Sequence, residues 1–203
     1  MAAMDARRLT PDAEAEEYLF WNCDATRYAQ QGSWRQALDA WEAMRDRLPG
    51  DYVDLNIAIC RYRLGAGAEI AAAALELAER LPRQPSGQAL LLAMLSLHRS
   101  GRFELAASVA AAMGKQGKHP WDLACLPTMV GTTFAIEDSS GSEIAGVLAS
   151  LLDRCQEAGE ERLHIQNLLS SYHAREAAML AARARDGRKG WIQRLISLFR
   201  GGD

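Results

Sequence analysis

The side chains best suited to catalysis or metal binding are scattered along this chain. The four histidines are His98, His119, His164 and His173. No zinc-protease, serine-hydrolase or phosphate-loop motif accompanies them. His164 and His173 would share one long helix, but their spacing of nine places them half a turn apart. The pattern therefore predicts no catalytic residue, no metal site and no cofactor, and indicates a protein that is not an enzyme.

The cysteines are equally dispersed, at Cys23, Cys60, Cys125 and Cys155, and none forms a C-x-x-C pair. This spacing argues against a zinc site or a thioredoxin-like motif and favours small buried thiols in a reducing compartment. The N-terminal segment 1–17 is polar and carries no secretory signal. No apolar run approaches the roughly 20 residues that span a bilayer. We therefore expect a cytoplasmic protein.

The composition favours an all-α protein with a sizeable core. Hydrophobic residues make up 49% and charged residues 24% of the chain, and the net charge is -3. These values are ordinary for a globular domain and lack the basic excess of nucleic-acid-binding proteins, so no nucleic-acid partner is expected. Alanine-rich stretches at 71–74 and 106–112 favour helices. Alternating strand patterns are almost absent.

A pattern of helix hairpins recurs three times between residues 18 and 114. Apolar residues at helical spacing in the first unit are Trp21, Ala25 and Tyr28, then Ala37, Trp41 and Met44. Similar pairs of faces follow over 52–82, where Tyr62 belongs to the first packing face, and over 87–114. The expected interhelical turns are Gly32, Gly65 and Gly101.

The first unit, Tyr18 to Pro49, resembles a tetratricopeptide repeat, whose unit is a helix hairpin with a period of about 34 residues. The resemblance implies a solenoid of about three hairpins over 18–114. In size and class the chain is also similar to small tetratricopeptide chaperones and adaptors of bacterial secretion systems. Members that grip a C-terminal carboxylate use a set of lysines and arginines, and this sequence lacks that set.

The resemblance also implies a concave partner-binding face along the first helix of each hairpin. The positions that point away from the packing face are Asn22, Thr26, Asn56, Arg63, Gln88, Leu91, Leu95, His98 and Arg102. Side-chain amides there could bond the backbone of an extended peptide. Leu91 and Leu95 would suit the apolar side of an amphipathic helix. A merely solvated helix surface is the alternative.

Beyond residue 114 the repeat pattern degrades, and additional helices are expected over 115–186. A break is expected at Gly114, Gly117 and Pro120, and a degenerate fourth unit would begin near Trp121. A helix with an apolar stripe follows Ser142. A long helix is predicted from Glu160 to Ala184, and its inward residues are Leu168, Leu169, Tyr172 and Met179.

The final segment, 187–203, has the pattern of a basic amphipathic helix after a glycine linker. Its apolar side comprises Trp191, Ile192, Leu195, Ile196, Leu198 and Phe199. Residues 183–203 carry six basic and two acidic groups, and this +4 leaves -7 for the rest of the chain. The helix could cap the last repeat or fill the protein's own groove. It could equally bind a partner through Trp191, Leu195 and Phe199, or lie on a membrane surface.

Two functions fit these patterns. The first is an adaptor or chaperone whose concave face binds a peptide or an amphipathic helix of another protein. The alternative is a structural subunit of a larger assembly, membrane-associated or secretory, docked through the C-terminal helix. A homo-oligomer is compatible with both.

Overall fold

A computed structural model describes residues 24–47, 50–117, 123, 125, 140–155 and 159–200, with the backbone alone at 83–84, 140–141 and 183–200. The predictions for 1–17, for Asn22 and for the unit beginning near Trp121 lie outside the described residues. All the secondary structure within these ranges is α-helical, which confirms the expected class there. The helices are α1 (24–30), α2 (Trp34–Arg47), α3 (Asp51–Arg63), α4 (Ala68–Arg80), α5 (Arg83–Arg99), α6 (Phe103–Lys115), α7 (Ser140–Arg154) and α8 (Glu160–Arg200).

Three glycines end α1, α3 and α5 in the same way. Gly32, Gly65 and Gly101 have φ angles of 72°, 101° and 75°, a left-handed region that glycine enters without a side-chain penalty. Each glycine N–H donates to the carbonyl three residues back, and the next N–H donates to the carbonyl five residues back. This Schellman motif satisfies the last carbonyls of a helix. The predicted turns between consecutive helices are confirmed.

Consecutive helices pack against each other from α2 to α6, and α3 also contacts α5. The predicted apolar faces are buried, with Trp41, Ile59 and Met94 wholly enclosed. Burying a side chain of this size contributes about 1.5–3 kcal/mol. Because α5 has neighbours in α3, α4, α6 and α7, its run Leu91–Leu95 is buried on every side.

Helices α6 and α8 pack closely against each other. A Cβ placed on Gly114 would lie 2.6 Å from the carbonyl oxygen of His164, so a larger residue would force the two helices apart. The sequence indicated a break at Gly114, Gly117 and Pro120, and α6 does end at Lys115, before Gly117 with its left-handed φ of 61°. Gly114 itself lies in the last turn of α6, where its missing side chain permits a close backbone approach.

Helix α8 differs from its prediction at two points. It continues for 41 residues to Arg200, passing Gly187 and Gly190, so no linker separates the C-terminal segment. Each glycine costs only about 1 kcal/mol relative to alanine in a helix, and the surrounding alanines and arginines favour helix. Met179, expected to face inward, is 46% exposed. Among the described residues, no helix combines the length and apolarity needed to cross a membrane.

Candidate functional site

Most of the predicted partner-binding positions whose side chains are described lie inside the helical body. Those at most 5% exposed are Thr26, Asn56, Gln88, Leu91 and Leu95. The Arg63 side chain is 14% exposed, His98 is half-buried and Arg102 is exposed. At the last three positions, Trp191, Leu195 and Phe199, only the backbone is described. The fold thus gathers the α3 and α5 positions, but covers most of them.

The cover belongs to the same chain. The Arg63 guanidinium donates to the Leu123 carbonyl oxygen at 3.1 Å. On the neighbouring helix, His98 Nε2 lies 3.2 Å from Ser150 Oγ of α7. A partner would therefore reach these side chains of α3 and α5 only after α7 and Leu123 had moved. Partner binding at these positions stays a prediction.

The residues that hold α7 occupy equivalent positions in two hairpins. Tyr62 and His98 each stand three residues before a turn glycine, and Arg63 and Arg99 each stand two residues before it. We call these four residues the inner-face set. The set contacts Glu143 and Ser150, which are seven residues apart, or two turns of α7. Equivalent positions of two hairpins therefore contact a single helix at two points, two turns apart.

The Glu143 carboxylate is the centre of the first contact. Tyr62 Oη donates to its Oε1 at 2.8 Å. The Arg99 and Arg63 guanidinium groups lie 3.5 and 3.8 Å from its two oxygens. Arg99 also stacks 3.6 Å above the Tyr62 ring and donates to the Tyr62 carbonyl oxygen at 2.7 Å. One hydroxyl and two guanidinium groups from two helices thus converge on one carboxylate.

The electrostatics keep Tyr62 a donor in this cluster. Burial raises the pKa of Tyr62 most, and the hydrogen bond to Glu143 and the charge of that carboxylate raise it further. The two arginines act in the opposite direction, but they do not reverse the shift. Tyr62 therefore keeps its proton at any physiological pH and continues to donate to Glu143.

The second contact involves His98, Phe103 and the end of α7. The His98 and Phe103 rings meet edge to face with centroids 5.2 Å apart. The Arg154 guanidinium lies 3.7 Å from the centre of the Phe103 ring, a cation–π contact. Desolvation lowers the pKa of His98 below its ordinary value of 6.5, and the charge of Arg154 lowers it further. His98 is therefore neutral at physiological pH and shares a hydrogen bond with Ser150.

Two cysteines that are distant in sequence lie side by side in the core. The sulfur atoms of Cys60 and Cys125 lie 3.8 Å apart, and both residues are buried free thiols. The hydrogen bond to Cys60 and burial both raise the pKa of Cys125. Thiols react as thiolates, so Cys125 is poorly reactive in the folded protein. The expected burial holds for these two cysteines, whereas Cys155 is only half-buried and Cys23 lies outside the described residues.

Sequence reasoning found part of this site. Arg63 and His98 were among the predicted positions, but Tyr62 was assigned to packing, and neither Arg99 nor Glu143 was singled out. The equivalence of Arg63 and Arg99 relative to the turn glycines was the available signal. The sequence was interpreted as lacking the set of basic residues that grips a C-terminal carboxylate, and the two arginines here hold a side-chain carboxylate, that of Glu143.

In the parts of the chain that the structure describes, no group of three or more His, Cys, Asp or Glu side chains is arranged to hold a metal ion. No protein-family model matches the sequence, and neither a curated protein nor a solved structure matches the chain significantly. The resemblance to tetratricopeptide repeats therefore rests on the residues themselves.

Proposed function

We propose that this chain is a protein-binding scaffold of tetratricopeptide-like hairpins, whose inner-face set binds an acidic helical segment of a partner protein. In the unbound chain, α7 takes the partner's place. The observation that carries the proposal is the convergence of Tyr62, Arg63 and Arg99 on the Glu143 carboxylate. The identical glycine turns and the contact between α3 and α5 support a solenoid arrangement of the hairpins.

The shape of α7 supports the same mode of recognition. Its buried residues Ile144, Leu148 and Leu151 follow the spacing with which amphipathic helices anchor in grooves. The carboxylate of Glu143 stands directly beside this stripe. A partner segment that presents an acidic residue one position before such a stripe would make the same contacts with the inner-face set.

Partner binding must compete with α7 itself. A tethered helix acts at an effective concentration of about millimolar, so a free helix of equal intrinsic affinity displaces it poorly. Weakening the contacts of the inner-face set with Glu143 should therefore make the inner-face set accessible to a partner.

A cytoplasmic location also belongs to this proposal, because closely spaced thiols such as Cys60 and Cys125 stay reduced there.

The test uses α7 as its own probe. A fluorescent peptide of residues 140–154, SGSEIAGVLASLLDR, is titrated by polarisation against the full chain carrying Glu143→Lys. The control chain carries Asp153→Lys, the same charge change at an exposed position of the same helix. We expect the peptide to bind the Glu143→Lys chain about tenfold more tightly than the native or control chain, since a charge-assisted contact of the resident helix is lost.

Two further titrations decide whether the carboxylate is what is recognised. A peptide with Glu143→Gln should bind the Glu143→Lys chain, called the opened chain, about tenfold more weakly than the native peptide does. Adding Arg63→Ala and Arg99→Ala to the opened chain should produce a similar loss, provided that circular dichroism shows an unchanged helix content. Equal binding of the two peptides, or indifference to the arginines, would contradict the proposal.

A further inference from the structure

Beyond Tyr172, α8 continues as an unbroken helix. All residues from 176 to 182 are exposed, and the helical backbone continues to Arg200. Among residues with described side chains, Tyr172 is the last buried one of α8. At 1.5 Å per residue, position 191 lies about 28 Å further along the axis. We call residues 183–200 the tail helix.

The apolar positions of the tail helix and the buried positions of α8 lie at different places in the helical register. At 100° per residue, the apolar positions between 191 and 199 cover an arc of about 160°. The centre of this arc lies roughly 165° around the axis from Ile165, Leu168 and Tyr172. These three are buried where α8 packs on α6 and α7. The apolar positions of the tail helix therefore do not continue the buried register of residues 165–172.

The charge of the tail helix indicates what could cover its apolar side. Within 183–200, six basic residues and one acidic residue give +5, against -8 for the rest of the chain. Four of the basic residues directly precede the apolar stretch: Arg183, Arg185, Arg188 and Lys189. A second copy would bring two +5 segments together, which is electrostatically unfavourable. A surface that complements the tail helix would therefore carry anionic groups at its boundary with water and an apolar layer just beneath them.

We propose that the tail helix binds the surface of membranes rich in anionic phospholipid, lying in the interface plane. A basic helix with Trp, Phe, Leu and Ile on one side is typical of interfacial anchors. One short apolar stripe binds lipid only marginally, and the basic cluster supplies the second attraction that stable anchoring needs. Each basic residue close to an anionic surface strengthens binding about fivefold. This proposal is independent of the inner-face set.

The test is flotation of the full chain with lipid vesicles. Vesicles of phosphatidylcholine alone are compared with vesicles that also contain phosphatidylglycerol, at low and at high salt. We expect binding to the anionic vesicles only, weakened by salt because screening shortens the reach of the basic cluster. The double variant Arg188→Glu with Lys189→Glu should lower the partition coefficient about tenfold or more.

An apolar variant pair supplies the matched control. Trp191→Gln with Phe199→Gln removes apolar groups from the tail helix and should lower vesicle binding about tenfold or more. Met179→Gln with Leu180→Gln removes apolar groups from exposed positions of the same helix outside the tail, and should leave binding within about twofold. Circular dichroism of each variant checks that α8 stays helical.

Three results would overturn the proposal. They are no binding to anionic vesicles, equal binding by the native chain and both tail variants, or a tail-dependent complex with a second copy or another protein without vesicle binding. Light scattering distinguishes the second copy. Because these substitutions leave the inner-face set intact, peptide binding there and vesicle binding can fail separately.

Discussion

Among the described helices, α5 and α8 are the two longest, and they are packed in opposite ways. The 17 residues of α5 are surrounded by α3, α4, α6 and α7. The 41 residues of α8 pack on α6 and α7 through their first part and are exposed from 176 to 182. Apolar residues distributed around α5 determine its interior position, whereas the early stripe of α8 holds only one end of that helix. Length alone therefore says little about how much a helix contributes to the core.

The largest expected effect separates two leucines of these helices. Leu91→Ala on α5 empties a fully buried site and should lower the free energy of unfolding by about 2–5 kcal/mol. Leu180→Ala on α8 changes a side chain that is 60% exposed, so the change should stay within about 0.5 kcal/mol. Urea denaturation followed by circular dichroism measures both. Similar losses in the two variants would show that the described end of α8 is packed after all.

A smaller effect is expected where α8 joins the body. Gly114→Ala would place a Cβ 2.6 Å from the His164 carbonyl oxygen, and forcing the helices apart should cost about 1–3 kcal/mol. The matched change is Gly146→Ala on α7, where no atom lies within 4 Å of the new Cβ. That variant should gain about 0.5–1 kcal/mol from the lower entropy of the unfolded chain. Thermal unfolding that shifts both variants in the same direction would refute the close contact.

The smallest expected effect is a pH dependence carried by His98. Its pKa is lower in the folded chain than the ordinary 6.5, so the unfolded state binds more protons in the window below that value. The contribution of His98 to stability is therefore complete above pH 6.5 and declines as pH falls through the window towards the lower, folded-state pKa. His98→Gln should flatten this part of the stability profile, and the control His173→Gln, at an exposed position of α8, should not. Urea midpoints measured across the window test this.

The helices and turns up to Lys115 were predictable because their signals are local. Turn glycines and apolar spacing within one helix depend on residues a few positions apart, and Gly32, Gly65 and Gly101 behave as expected. Of the positions on α3 and α5 that were expected to point away from the packing face, several are buried: Asn56, Gln88, Leu91 and Leu95. A sequence pattern does not reveal whether such positions meet a partner or another part of their own chain.

Most of the features that the sequence did not predict depend on residues that are far apart in the chain. Tyr62 and Glu143 are 81 residues apart, and no local pattern relates a tyrosine near one turn to a glutamate in a later helix. The close approach of Gly114 to His164 was not predicted, because it depends on a residue 50 positions later. Gly187 and Gly190 were taken for a linker, although their cost of about 1 kcal/mol each is small beside the helix preference of their neighbours.

The three matching turns have a consequence for how this chain can change in length. No atom lies within 4 Å of the place that a Cβ would occupy at Gly32, Gly65 or Gly101. These joints therefore require a left-handed backbone and nothing from their surroundings. A hairpin could be duplicated or lost at such a joint through an unchanged backbone connection. Each added hairpin would bring one more pair of positions equivalent to Tyr62 and Arg63. The proposed binding surface would therefore grow or shrink by one such pair at a time.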